Sequence, residues 1–164
     1  MSLAFSQETE QRFQTLLSRY PNTRAALLPA LYLAQDEFGY LSVEAMEYVA
    51  ERLELPASKV LNVATFYTMY NKRPVGRYHV QVCVSISCAL LGAYKLLRYL
   101  EKRLDIRVGE TSDDGMFTLT EVECLASCGT APMMQVNDDY YEDLGTDESA
   151  ESVLSSMLAD AGRE

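Results

Sequence analysis

The stretch Tyr78-His79-Val80-Gln81-Val82-Cys83-Val84-Ser85-Ile86-Ser87-Cys88 decides the fold. Tyr78, Val80, Val82 and Val84 alternate with His79, Gln81 and Cys83, and a period of two predicts a β-strand. Immediately afterwards the period becomes helical: Leu90, Leu91, Tyr94, Leu97, Leu100 and Leu104 fall along one stripe of residues 89–104. The turn Asp113-Asp114-Gly115 leads into a second strand over Met116–Glu123, so the first strand-helix unit implies a crossover. Met133–Asn137 and Tyr140–Glu142 then read as a hairpin around Asn137-Asp138-Asp139. A last helix follows Thr146, with Val153, Leu154, Met157 and Leu158 expected inward. The order β-α-β-β-β-α is that of a small α/β domain.

Upstream of this domain the pattern is helical throughout. Phe13, Leu16 and Leu17 lie at helical spacing before a stop at Pro21, and a second helix carries Leu27, Leu28, Leu31, Ala34 and Phe38 up to Gly39. Ser42 is placed to cap a third helix bearing Met46, Val49, Ala50 and Leu53, and Pro56 suits the first turn of a fourth containing Val60 and Val63. The break at Asn71-Lys72-Arg73-Pro74-Val75-Gly76 separates the two patterns. The expected organisation is a helical bundle over 1–73 and an α/β domain over 74–164.

The chain of 164 residues carries 24 acidic and 14 basic side chains, a net charge of −10. Such a surface repels phosphodiester backbones, so nucleic acid is not expected as a partner. The basic cluster Lys95, Arg98, Lys102 and Arg103 has Glu101 between its members and reads as a solvated helical face. Polar residues interrupt every apolar window before it nears the roughly 20 residues of a membrane span, so no membrane insertion is expected. The opening residues 1–13 have neither the basic segment nor the apolar run of a secretory leader, which predicts a cytoplasmic chain of bacterial type.

All four cysteines lie in two short segments of the second half, Cys83-Val84-Ser85-Ile86-Ser87-Cys88 and Cys124-Leu125-Ala126-Ser127-Cys128. Each pair sits at a strand end, and two loops at one end of a sheet can bring four thiolates to one place. A reducing compartment disfavours disulfides, and burial as small hydrophobes does not explain the clustering. A binuclear iron-sulfur unit suits these spacings, because each pair of thiolates binds its own iron. Structural zinc, which usually takes C-x2-C knuckles, is the rival; a thioredoxin-like dithiol also prefers C-x2-C. A Rieske centre needs two histidines, and His79 is the sole one in the sequence. His79 shares a strand face with Gln81 and Cys83 and is expected to pack rather than to serve the centre.

These residues resemble a known family: the small thioredoxin-like 2Fe-2S subunit of NADH:quinone oxidoreductase (respiratory complex I), with relatives in NAD-linked hydrogenases and formate dehydrogenases. The resemblance rests on Ala64–Tyr70 followed by Pro74-Val75-Gly76, on Val82–Cys88, on Gly109–Phe117, and on Val122–Pro132 continuing to Val136–Tyr141. It implies a helical bundle followed by a thioredoxin-like 2Fe-2S ferredoxin domain, with Cys83, Cys88, Cys124 and Cys128 as cluster ligands. It also implies that FMN and NADH sit on a partner flavoprotein, that further iron-sulfur subunits complete the complex, and that the complex lies at the cytoplasmic side of the inner membrane. Ser87 stands where many relatives have Pro, and Ala126 where Gly is usual. Neither position is a ligand.

The chemistry expected of such a chain is reversible one-electron transfer at low potential, with no catalytic residue and no complete active site in this chain alone. Loop N–H groups and the start of the helix near Cys88 are expected to offset the negative charge. The glycines, Gly162 included, form neither G-x-G-x-x-G nor a Gly-Lys-Ser/Thr motif, and no G-x-S-x-G elbow occurs. Phe66, Tyr67, Tyr70, Tyr140 and Tyr141 are either core or anchors for the flavoprotein, since Tyr is enriched at interfaces. On the anchor reading, Ala at position 67 or 70 weakens the complex without unfolding the chain.

Overall fold

The computed structural model describes residues 3–161, with the side chains of the last two left aside, so Gly162 falls outside the described residues. The chain divides at Pro74 into two compact units.

The first unit contains four helices: α1 (Gln7–Ser18), α2 (Leu27–Phe38), α3 (Val43–Leu53) and α4 (Ala57–Phe66). Local chemistry sets their ends. The Oγ of Ser6 accepts from the Thr9 N–H at 3.2 Å and that of Ser42 from Ala45 at 3.0 Å, each satisfying an orphan donor of a first turn. Gly39 ends α2 with φ +80°, the left-handed conformation that costs glycine least. Pro56 stands one residue outside α4, as its N-cap rather than in its first turn. Phe13, Leu31, Val49, Leu53 and Val60 fill the core. Arg52 lies over the Phe13 ring, 4.6 Å from its centroid, and bonds both Glu10 oxygens at 2.7 Å.

Tyr70 is the largest side chain fully enclosed in this core. Its hydroxyl donates to the Leu28 carbonyl at 2.9 Å, and burial holds the phenol far above its ordinary titration range. The anchor reading of Tyr70 is therefore corrected: a side chain at 0% exposure has nothing to offer a partner. Phe66, at 77%, and Tyr67 remain on the surface.

The second unit is a sheet of β1 (Tyr78–Cys83), β2 (Phe117–Val122), β3 (Met134–Val136) and β4 (Asp139–Tyr141), in the order β2-β1-β3-β4. The other elements are α5 (Ile86–Leu91), α6 (Ala93–Leu104) and α7 (Asp147–Ala161), plus one 3₁₀ turn at Cys128–Thr130. β1 and β2 are parallel, joined by the α5–α6 crossover, while β3 and β4 form the antiparallel hairpin. Its Asn137 adopts φ +52° and clips β1, accepting from the His79 N–H at 2.9 Å and donating to the Arg77 carbonyl at 3.0 Å. Gly76 passes so close to β2 that a Cβ would stand 2.8 Å from the Phe117 carbonyl carbon.

Three expectations need correction. The helix over 89–104 is two helices, broken at Gly92, whose φ of +113° no continuing helix accommodates. The break changes the phase of the stripe: Ala93, Leu96, Leu97 and Leu100 face the core, while Leu90, Leu91 and Tyr94 are exposed. Val84 lies beyond β1, which ends at Cys83, and Leu158 faces outward where Ala150, Leu154 and Met157 are buried.

The basic face of α6 is tied to α7. Lys95 meets Asp147 at 3.0 Å, and Arg103 meets Glu151 at 2.9 Å. Arg103, then the Tyr99 hydroxyl at 2.6 Å and the Ser155 hydroxyl, hold the Glu151 carboxyl at about 2, below its usual 4.5. Tyr99 is pushed up to about 12 in return. A depressed carboxyl stabilises above its unfolded titration range and loses that contribution as pH falls through the folded one. Chain stability is thus expected to drop between about 4.5 and about 2, and Glu151→Gln to flatten that limb in acid denaturation followed by circular dichroism.

Candidate metal centre

The parallel register places Cys83 opposite Val122, so β1 and β2 reach the same end of the sheet side by side. Each strand then releases its cysteine-bearing segment there. The ladder holds through this point, with the Val84 N–H donating to the Val122 carbonyl at 2.9 Å and the Cys83 N–H to Met133 at 3.2 Å. Cys88 follows inside α5, whose chain enters through Ser85 in an extended conformation. Cys124 leaves two residues after β2, and Cys128 begins the 3₁₀ turn.

This arrangement brings the four cysteines together. The Cys83 thiol interacts with those of Cys88 and Cys124, and Cys88 feels the charge of Cys128. Burial pushes Cys83 up, yet the N–H groups of Ser85 and Leu125 and the neighbouring thiols outweigh it and leave Cys83 below the ordinary thiol range. Burial and the Cys83 contact push Cys88 up, against the Met133 N–H. The Ala126 N–H donates to the Cys124 sulfur at 3.3 Å. Backbone donors from both loops thus face sulfur, an arrangement that favours thiolates and negative charge. Cys83 and Cys88 are buried; Cys124 and Cys128 are exposed.

The donor set fits a binuclear iron-sulfur unit, which takes thiolates two and two. One tetrahedral zinc needs its donors around a single centre. Among the described residues, no group of three or more His, Cys, Asp or Glu side chains is gathered so as to hold one metal ion. His79 stands apart from the thiols: its Nε2 pairs with the Thr120 hydroxyl at 3.0 Å, and burial lowers its basicity.

Ala126 adopts φ +61°, a left-handed conformation in which a Cβ is strained. The family's usual glycine at this position has that physical cause. Ala126→Gly is expected to raise stability by about 0.5–1 kcal/mol, read from the urea midpoint of the full chain.

Sequence reasoning did not find the contacts that hold the second loop. The Tyr140 hydroxyl donates to the Leu125 carbonyl at 2.9 Å. Glu142 Oε1 accepts from the hydroxyls of Ser127 and Thr130, the latter at 2.6 Å. The alternation of Tyr140 and Glu142 on the hairpin was the visible signal, without any sign of what they reach.

The model of the thioredoxin-like 2Fe-2S ferredoxin family matches residues 13–158. An NADH-quinone oxidoreductase subunit from Rickettsia prowazekii is 47% identical over 146 residues, covering 87% of this chain and 82% of the relative. A subunit of the same name from Rhizobium meliloti is 46% identical over 134 residues, covering 82% and 80%. Among solved structures, an air-oxidised NAD+-reducing NiFe-hydrogenase shares the fold with a TM-score of 0.70 at 20% identity, over 82% of this chain and 23% of that one. The chain belongs to the thioredoxin-like 2Fe-2S ferredoxin family.

Proposed function

We propose that Cys83, Cys88, Cys124 and Cys128 hold one 2Fe-2S cluster, and that the chain is the one-electron carrier subunit of an NADH:quinone oxidoreductase. The observation that carries this reading is the register of Cys83 with Val122, which sets both cysteine segments at one sheet end. When bound, the cluster supplies reversible one-electron storage. The chain's own part is to supply thiolates, to direct the N–H groups of Ser85, Leu125, Ala126 and Met133 at them, and to shield Cys83 and Cys88 from water.

In this reading electrons are exchanged with the FMN of a partner flavoprotein, which also takes NADH, and further iron-sulfur subunits lie beyond it. The naming of the relatives as parts of NADH-quinone oxidoreductase favours that parent over a hydrogenase or formate dehydrogenase. Ile86 and Leu90, 76% and 80% exposed beside Cys88, give the site an apolar rim suited to a protein partner. Phe66 and Tyr67 are a second candidate anchor. No described helix is long and apolar enough to cross a membrane, in keeping with a peripheral position on the cytoplasmic side of the inner membrane.

The test is anaerobic purification of the full chain from cells competent in cluster assembly. Iron, acid-labile sulfide and a visible band bleached by dithionite are expected, together with co-purification of a flavoprotein. A colourless zinc protein, or a metal-free chain that reduces insulin, would overturn the reading.

A further inference from the structure

The geometry points to Tyr140 and Glu142 as positioning residues for the exposed pair Cys124 and Cys128, an inference that rests on the cluster reading above. The two halves of the site are supported differently. Cys83 closes a strand and Cys88 lies in a helix, so the backbone hydrogen bonds of those elements fix both. Residues 123–127 belong to neither strand nor helix, and the turn that follows has a single closing bond, from the Thr130 N–H to Ser127 at 3.3 Å. A segment with so little internal bonding takes its shape from outside.

The outside support comes from the far edge of the sheet. The loop leaves β2 at one edge, and β4 forms the other. Tyr140 and Glu142 are two residues apart in extended chain, so they project to the same side. Tyr140 pins the carbonyl of Leu125, next to Cys124. Glu142 takes the hydroxyls of Ser127 and Thr130, which bracket Cys128 and Gly129. The Asp143 N–H adds a bond to the Thr130 carbonyl at 2.9 Å. Each exposed cysteine therefore has a pinned neighbour. Both hydroxyls donate to one oxygen of Glu142, and an amide oxygen, with two lone pairs, accepts the same two bonds. The brace requires the acceptor and not the charge.

That distinction gives the test, made on the full chain with Glu142→Ala, Glu142→Gln and Tyr140→Phe. In the iron-loaded protein, Glu142→Ala is expected to speed the loss of visible absorbance to an iron chelator by about tenfold, the scale of losing an outer-shell partner. Tyr140→Phe should act in the same direction, and Glu142→Gln should restore the parent lifetime. In the metal-free chain, alkylation by iodoacetamide, read cysteine by cysteine by mass spectrometry, should change at Cys128 in Glu142→Ala and stay constant at Cys83. Unchanged cluster lifetimes, a Gln variant as labile as the Ala variant, or lability that merely follows a lowered melting temperature would each overturn the inference. A parent chain that takes up no iron instead removes the cluster reading, and unchanged alkylation at Cys128 then removes the brace as well.

Discussion

Cys124→Ser in the full chain is expected to abolish the visible spectrum or alter it strongly, and to lower the iron recovered per chain. A serine hydroxyl is a harder donor and ionises far less readily than a thiol, so it is a poor substitute on iron. Cys124 is the cleanest position for this test because it is exposed. There the substitution changes a donor atom and leaves the core alone. Cys88→Ser should also lose the spectrum, but Cys88 is buried, and enclosing a hydroxyl adds a penalty of about 1–3 kcal/mol unless it finds a partner. Circular dichroism of the metal-free Cys124→Ser chain should match that of the parent. A full, unshifted spectrum in this variant would mean that the ligand set is wrong.

The second large effect is in the helical unit. Tyr70→Ala is expected to destabilise it by about 3–5 kcal/mol, the range for deleting a large buried ring. The ring is fully enclosed, and its edge-on neighbours Tyr32 and Tyr67 stand 5.3 and 6.4 Å away by centroid. Tyr70→Phe keeps the ring and removes the donor to the Leu28 carbonyl, so a smaller loss of about 1–2 kcal/mol is expected. Urea unfolding of both variants, followed by helical circular dichroism, separates packing from hydrogen bonding. A Tyr70→Ala chain with an unchanged midpoint would show that the ring is not part of the core.

The sequence made the centre legible for a physical reason. A strand period of two ending in one cysteine, repeated in a second strand, fixes where each chain leaves the sheet, and a crossover makes the exits neighbours. Cys83 and Cys124 are found by this logic alone. The helix break at Gly92 was harder to see, because hydrophobic residues on both sides of it imitate one continuous stripe. Tyr70 carried no period at all: in Phe66-Tyr67-Thr68-Met69-Tyr70, three aromatics lie close together, and tertiary packing alone sorts the enclosed one from the exposed two. The brace by Tyr140 and Glu142 joins residues 12 to 15 positions apart across a sheet, a relation that no local pattern encodes.

The unequal depth of the sulfurs gives the centre a single doorway. A delivery protein, a chelator or an oxidant meets Cys124 and Cys128 before anything else, so loading and damage share one route. A neighbouring protein seated over that doorway protects what it covers, and the order of assembly follows: filling must precede docking.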